Sequence, residues 1–125
     1  MANIELYLCE KCKQIAEKVV ATQVPLICCG EEMKKLEAGT VDAAQEKHVP
    51  DVTREGNHIK VQVGSTLHPM EDKHYIQFII VKQGDCTYRA DLKPGQEPVA
   101  EFDIQDGAAT VYEYCNLHGL WKADC

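Results

Sequence analysis

Cys115 and His118 stand three positions apart in Cys115-Asn116-Leu117-His118, directly after the β-type run Ala109 to Tyr114. A soft thiolate and an imidazole across such a gap at a strand end can both reach one metal ion, because the turn folds the second side chain back toward the first. Three upstream histidines can join them. His48 and His68 lie in Glu46-Lys47-His48-Val49-Pro50 and His68-Pro69-Met70, where proline keeps the chain extended or looped, and His74 opens the longest apolar run. All three are expected at loops or strand ends, where one end of a β fold can gather them. His58 alternates with Ile59 and Val61 and is expected to be an exposed surface histidine.

Four imidazole nitrogens and one thiolate make five donors, too many for the closed tetrahedron of structural zinc. They leave one position of an octahedron vacant. A redox iron suits that set, with the thiolate as the odd ligand. A thiolate opposite the vacancy would push electron density toward whatever binds there, by analogy with thiolate-ligated haem. Such a site would bind and reduce a small oxygen species.

A second donor group lies at the start of the chain. Cys9-x2-Cys12 is a metal knuckle, and Cys28-Cys29 supplies the second pair of a four-thiolate site. Adjacent cysteines cannot easily subtend an ideal tetrahedral angle, so a distorted site is expected, which iron accepts. Zinc that only staples the fold is the alternative from spacing alone, and a strained vicinal disulfide is a third.

The composition fits metal chemistry. The chain has 125 residues and seven cysteines, four of them within the first thirty residues, where apolar residues are too scattered to make a core. No run approaches the eighteen or so apolar residues of a membrane span, and no export signal is visible, so a cytoplasmic protein with reduced cysteines is expected. The formal charge of −7 argues against nucleic acid or an anionic membrane as partner.

These donors must be positioned by two modules, with the boundary near Gly39, where cysteines become sparse and histidines begin. Residues 1–38 are read as the four-cysteine module. Residues 39–125 read as an all-β, antiparallel sandwich: strands are expected at His58 to Val63, His74 to Gln83, Cys86 to Leu92, Val99 to Ile104, Ala109 to Tyr114 and Leu120 to Ala123, separated by turn signals such as Gly84-Asp85, Pro94-Gly95 and Asp106-Gly107. Cys86 is expected to be a small core residue, and Cys125 a terminal thiol without a role.

On the motifs Cys9-x2-Cys12 with Cys28-Cys29, Glu46-Lys47-His48-Val49-Pro50, His68-Pro69-Met70 with His74, and Cys115-Asn116-Leu117-His118-Gly119, the chain resembles desulfoferrodoxin, the two-iron class of superoxide reductase, over essentially its full length. The resemblance implies a desulforedoxin-like iron module, an immunoglobulin-like sandwich and a homodimer. It implies His48, His68, His74 and His118 as equatorial ligands, Cys115 as the axial one, and Glu46 as sixth ligand in the resting ferric state. The implied reaction is one-electron reduction of superoxide to hydrogen peroxide, with rubredoxin-like carriers returning the electron. Lys47 then gains a role. Superoxide is an anion approaching a protein of charge −7, and a cation beside the vacancy would raise its local concentration.

Two other readings remain at this level. A cupredoxin-like or iron electron-transfer protein without catalytic activity would also use a sandwich with a late Cys-x2-His, although no methionine follows His118 and Met70 is upstream. A structural or regulatory zinc protein is the second.

Overall fold

The computed structural model describes residues 4–39 and 45–125. The chain falls into two compact units, Asn3–Glu37 and Ala38–Cys125.

The first unit is built from very short strands. β1 (Leu6–Leu8) is the centre of a three-stranded antiparallel sheet, flanked by β2 (Ile15–Glu17) and β5 (Lys34–Lys35), while β3 (Ile27–Cys28) and β4 (Glu31–Glu32) form a separate hairpin. Among the described residues its buried apolar side chains are few: Ile4, Leu6, Cys9 and Met33. So small a core stabilises little unaided, and a metal is the usual supplement.

The second unit is a seven-stranded antiparallel sandwich. One sheet has the order β10-β7-β6, from Val99–Asp103, His58–Val63 and Pro50–Glu55, and the other has the order β12-β11-β8-β9, from Gly119–Asp124, Thr110–Cys115, Ile76–Gln83 and Cys86–Asp91. Three strands facing four is the immunoglobulin-like layout. Period-two alternation explains the core: Ile59, Val61 and Val63 of β7 are fully buried and meet Ile79, Val81 and Val111 from the opposite sheet. Tight hairpins fix the register. Gly84, with φ 57, takes the first central position of the β8–β9 turn, and Gly56, with φ 62, does the same between β6 and β7.

Two elements differ from the sequence expectation. β6 begins at Pro50, a position proline tolerates because β6 is an edge strand and Pro50 its first residue. Its alternation was illegible because Val52 is the only other apolar residue in Pro50-Asp51-Val52-Thr53-Arg54-Glu55. One helical turn, α1 (Gln45–His48), precedes it, closed by Val49 N–H donating to the Gln45 carbonyl at 2.9 Å. Pro50 stops it. Cys86 lies on the face of Tyr88, Ala90 and Leu92 as expected but is half-buried at the margin, where its sulfur accepts Nε2 of Gln105 at 3.7 Å. Cys125 packs against the core, and its backbone pairs with Ala109 in both directions.

Candidate metal centres

The sandwich gathers His48, His68, His74, Cys115 and His118 at one place, with one donor atom from each lying within 4.8 Å of all the others. They arrive from four segments. His48 ends the helical turn α1, His68 and His74 flank the connection from β7 to β8, and Cys115 closes β11 at a bulge between Tyr114 and Cys115. His118 lies in the β11–β12 turn.

The imidazoles form a closed ring. Successive rings stand nearly perpendicular: His48 to His68 at 77°, His68 to His74 at 82°, His74 to His118 at 79° and His118 to His48 at 89°, with centroids 4.7 to 5.1 Å apart. Hydrogen bonds identify the nitrogens turned inward. His68 donates Nδ1–H to the Pro69 carbonyl at 2.7 Å, which leaves its Nε2 as the lone-pair nitrogen, 3.2 Å from Nε2 of His48. His48 Nε2 is also 3.0 Å from Nδ1 of His118, so His118 presents the opposite ring nitrogen. His74 Nε2 is buried with no hydrogen-bond partner among the described residues.

Whether these atoms fit a metal can be tested on distance. Four nitrogens in a square about 2.1 Å from a metal lie about 3.0 Å from their neighbours. The two measured edges, 3.0 and 3.2 Å, match. A buried nitrogen without a partner is costly unless a cation takes its lone pair. Cys115 Sγ lies 3.9 Å from His118 Nδ1, farther than either measured nitrogen–nitrogen edge. The donor set of four imidazoles and one thiolate fits a redox iron.

Burial favours the neutral imidazole at His68 and His74. Burial pulls the pKa of His68 down to about 4, opposed by the Pro69 carbonyl and assisted by the neighbouring histidines. Burial lowers His74 as well; His118 adds to this, the Glu71 carboxylate opposes it, and the cation of Lys47 adds the smallest effect. The Cys115 thiol is pushed up by burial, and the backbone N–H groups of Leu117 and His118 oppose that by hydrogen bonding to the sulfur. A bound cation would reverse the first effect and use the second.

Lys47 is exposed, next to His48, and its charge is felt at His74. Glu46 has its backbone in α1, but its side chain lies outside the described residues. His58 is exposed on β7, between Asp103 and Glu101, and takes no part in the cluster. Met70, the sulfur a copper site would need, packs against the core and accepts Ile76 N–H at 3.4 Å.

Two residues not singled out from sequence hold the cluster together. Asn116 Oδ1 accepts Tyr75 N–H at 2.9 Å, and its Nδ2 donates to the Lys73 carbonyl at 3.0 Å, which ties the Cys115 turn to both sides of His74. Trp121 stacks on His48 and donates Nε1–H to the His118 carbonyl. The readable signals were an asparagine inside a tight turn and the chain's only tryptophan three residues after a candidate ligand.

In the first unit the sulfur atoms of Cys9, Cys12, Cys28 and Cys29 all lie within 4.8 Å of one another. Cys12 Sγ is 3.6 Å from Cys28 Sγ, and Cys28 Sγ is 3.9 Å from Cys29 Sγ. A tetrahedron with metal–sulfur bonds of about 2.3 Å has edges of about 3.8 Å. The vicinal edge therefore has an ordinary length, and the backbone absorbs the cost of adjacency: Cys29 adopts φ 52, a region non-glycine residues rarely enter. Cys12 N–H points at Cys9 Sγ at 3.4 Å, and Gln14 Nε2 donates to Cys28 Sγ at 3.1 Å. That backbone bond pulls the Cys9 thiol down to about 6, whereas Cys29 is pushed up to about 12, chiefly by its hydrogen bond to Cys12. Unequal sharing of protons is what four crowded thiols do without a cation; a metal ion takes all four as thiolates.

Fold and site together define a β-sandwich metalloprotein with a mononuclear histidine–thiolate iron centre and a separate four-cysteine iron module. Comparison with known proteins agrees. The sequence model of the desulfoferrodoxin family matches residues 40–124. A desulfoferrodoxin homolog of Archaeoglobus fulgidus is 47% identical over 120 residues, covering 96% of each chain. The desulfoferrodoxin of Nitratidesulfovibrio vulgaris is 48% identical, covering 96% of this chain and 95% of its own. Among solved structures, the superoxide reductase of Treponema pallidum superposes with a TM-score of 0.78 at 30% identity, covering 97% of this chain and 98% of its own. The one-iron superoxide reductase of Giardia intestinalis covers 64% of this chain, with a TM-score of 0.57 at 38% identity. The chain belongs to the desulfoferrodoxin family.

Proposed function

We infer that this protein is a superoxide reductase, converting superoxide to hydrogen peroxide. The observation that carries the reading is the closed ring of four imidazoles with the Cys115 thiolate beside it, a donor set suited to an open-sided iron. Bound iron supplies the single electron that, with two protons, turns superoxide into hydrogen peroxide. The chain's residues do the rest. His48, His68, His74 and His118 would hold the metal through ring nitrogens, and Cys115, cradled by two backbone N–H groups, would provide the electron-rich ligand.

Lys47 attracts the anionic substrate and steadies the charged product; its exposure beside His48 and its effect on His74 support this. Glu46, adjacent to Lys47 and His48 in α1, would offer its carboxylate to the iron in the resting state. A rubredoxin-like carrier returns the electron, and the protein works as a cytoplasmic homodimer that removes superoxide under oxidative stress. Residues 39–125 form the reductase domain and residues 1–38 the iron module.

Pulse radiolysis of the reduced protein with superoxide tests the activity. One peroxide formed per superoxide without oxygen evolution is expected; oxygen evolution would make it a dismutase instead. The four-cysteine iron mainly stabilises its module or the dimer. Cys12→Ser should therefore impair folding or association and leave carrier-driven reduction of the histidine site intact. Slowed reduction in a well-folded dimer would assign that iron to electron relay.

A further inference from the structure

Trp121 lies on β12, directly opposite Glu113 of β11, and is only 4% exposed. Its side chain meets two neighbouring members of the imidazole ring in different ways. The indole lies 5.2 Å from the His48 ring at an interplanar angle of 29°, a stacked contact, unlike the perpendicular contacts among the histidines themselves. At the same time Nε1–H donates to the main-chain carbonyl of His118 at 3.0 Å. His48 and His118 share the 3.0 Å nitrogen–nitrogen edge of the square.

We propose that Trp121 is a positioning residue for the metal centre, fixing the His48 plane against the His118 turn so that one edge of the nitrogen square exists before metal arrives. This rests on reading the histidine–cysteine cluster as the iron site. A histidine side chain has two rotatable bonds, and ordering it during metal capture costs conformational entropy that a rigid neighbour removes in advance. A large flat ring restrains imidazole rotation, and the indole N–H, a group that must find an acceptor when buried, restrains the turn carrying His118. One rigid body therefore couples residues 70 positions apart in sequence. Supporting residues of this kind typically contribute about 10–100-fold to metal affinity.

The test is titration of the full metal-depleted chain with Co(II). The four-thiolate site reports through its sulfur charge-transfer bands, and the mixed site is followed separately through its own ligand-field bands. Trp121→Leu removes both contacts, and Trp121→Phe keeps an aromatic ring while deleting the N–H. The expected result is a loss of affinity of about 10–100-fold at the mixed site for Trp121→Leu. A smaller loss with shifted bands is expected for Trp121→Phe, with the four-thiolate site unchanged in both. Wild-type affinity and bands in Trp121→Leu would overturn the proposal. Should that variant not fold, Trp121→Phe decides alone, and wild-type behaviour there overturns it equally. If wild-type protein binds no cobalt outside the four-thiolate site, it is the reading of the histidine cluster that fails.

Discussion

The amide of Asn116 spans from the Cys115 turn to the backbone of Tyr75, with Oδ1 accepting the Tyr75 N–H at 2.9 Å and Nδ2 reaching the carbonyl of Lys73 at 3.0 Å. His74 lies between those two anchor points. The segment is also pinched by reciprocal backbone bonds between Glu71 and His74. Asn116 thereby ties the loop carrying one imidazole to the turn carrying the thiolate.

Asn116→Ala removes both bonds, each worth about 0.5–1.5 kcal/mol net. The iron-loaded protein should lose about 1–3 kcal/mol of unfolding free energy. Its histidine-bound iron should also pass to a ferrous chelator faster, while the four-cysteine iron is retained. Denaturant unfolding and chelator release measure the two effects; an unaltered release rate would deny Asn116 any hold on His74.

Lys47→Ala should slow the second-order reaction with superoxide by about tenfold at low salt. The motive is an exposed ammonium whose field reaches His74 in a protein of charge −7. Pulse radiolysis at two ionic strengths checks it, because the wild-type advantage should shrink as salt screens the lysine. Iron content should not change.

His58 makes a pH-dependent contribution to the sandwich. Its Nδ1 is 2.8 Å from Asp103 and its Nε2 is 2.9 Å from Glu101, and these bonds, Asp103 first, raise its pKa above the ordinary 6.5. A folded-state pKa above the unfolded one gives stability that is fully present below 6.5 and is lost as pH rises through the raised value. The difference in melting temperature between wild type and His58→Gln should therefore be largest in acid and shrink with rising pH. A difference independent of pH would contradict this.

Glu113 sits fully buried on β11 with neither carboxylate oxygen hydrogen-bonded among the described residues, and burial raises its pKa well above the usual carboxylate range. An unsatisfied buried polar group costs about 1–3 kcal/mol. Glu113→Leu, of similar bulk, should raise unfolding stability by about that amount in denaturant titrations. A destabilised variant would mean that the carboxyl has an unseen partner, such as a buried water.

Much of this molecule could be read from residue types alone. The four cysteines and the converging histidines declared themselves because metal ligands are few in kind and lie at constrained spacings. The alternation of His58 to Val63 and the apolar run of β8 gave strands, since a half-buried sheet has period two. β6 escaped because it begins at proline and Val52 is its only other apolar residue, which leaves no period to count. Asn116 and Trp121 escaped for another reason: each meets a partner distant in sequence, Asn116 the backbone of Lys73 and Tyr75 and Trp121 the His48 ring, and such partners leave no local pattern. Spacing was equally silent on which ring nitrogen each histidine offers, which depends on bonds such as that from His68 to the Pro69 carbonyl.

The exception among the inward nitrogens has a consequence for how iron enters. His118 faces the cluster through Nδ1, the nitrogen nearest its own main chain, while Cys115 lies only three residues before it. The two donors form a short bidentate claw on a turn held by Asn116 and Trp121. His48, His68 and His74 must come from other segments, so their local concentration about an incoming ion depends on the rest of the sandwich being folded. In the folded chain this claw adjoins the His48–His118 edge that Trp121 holds in place, so an incoming ion meets three donors already set together on the β11–β12 side of the site.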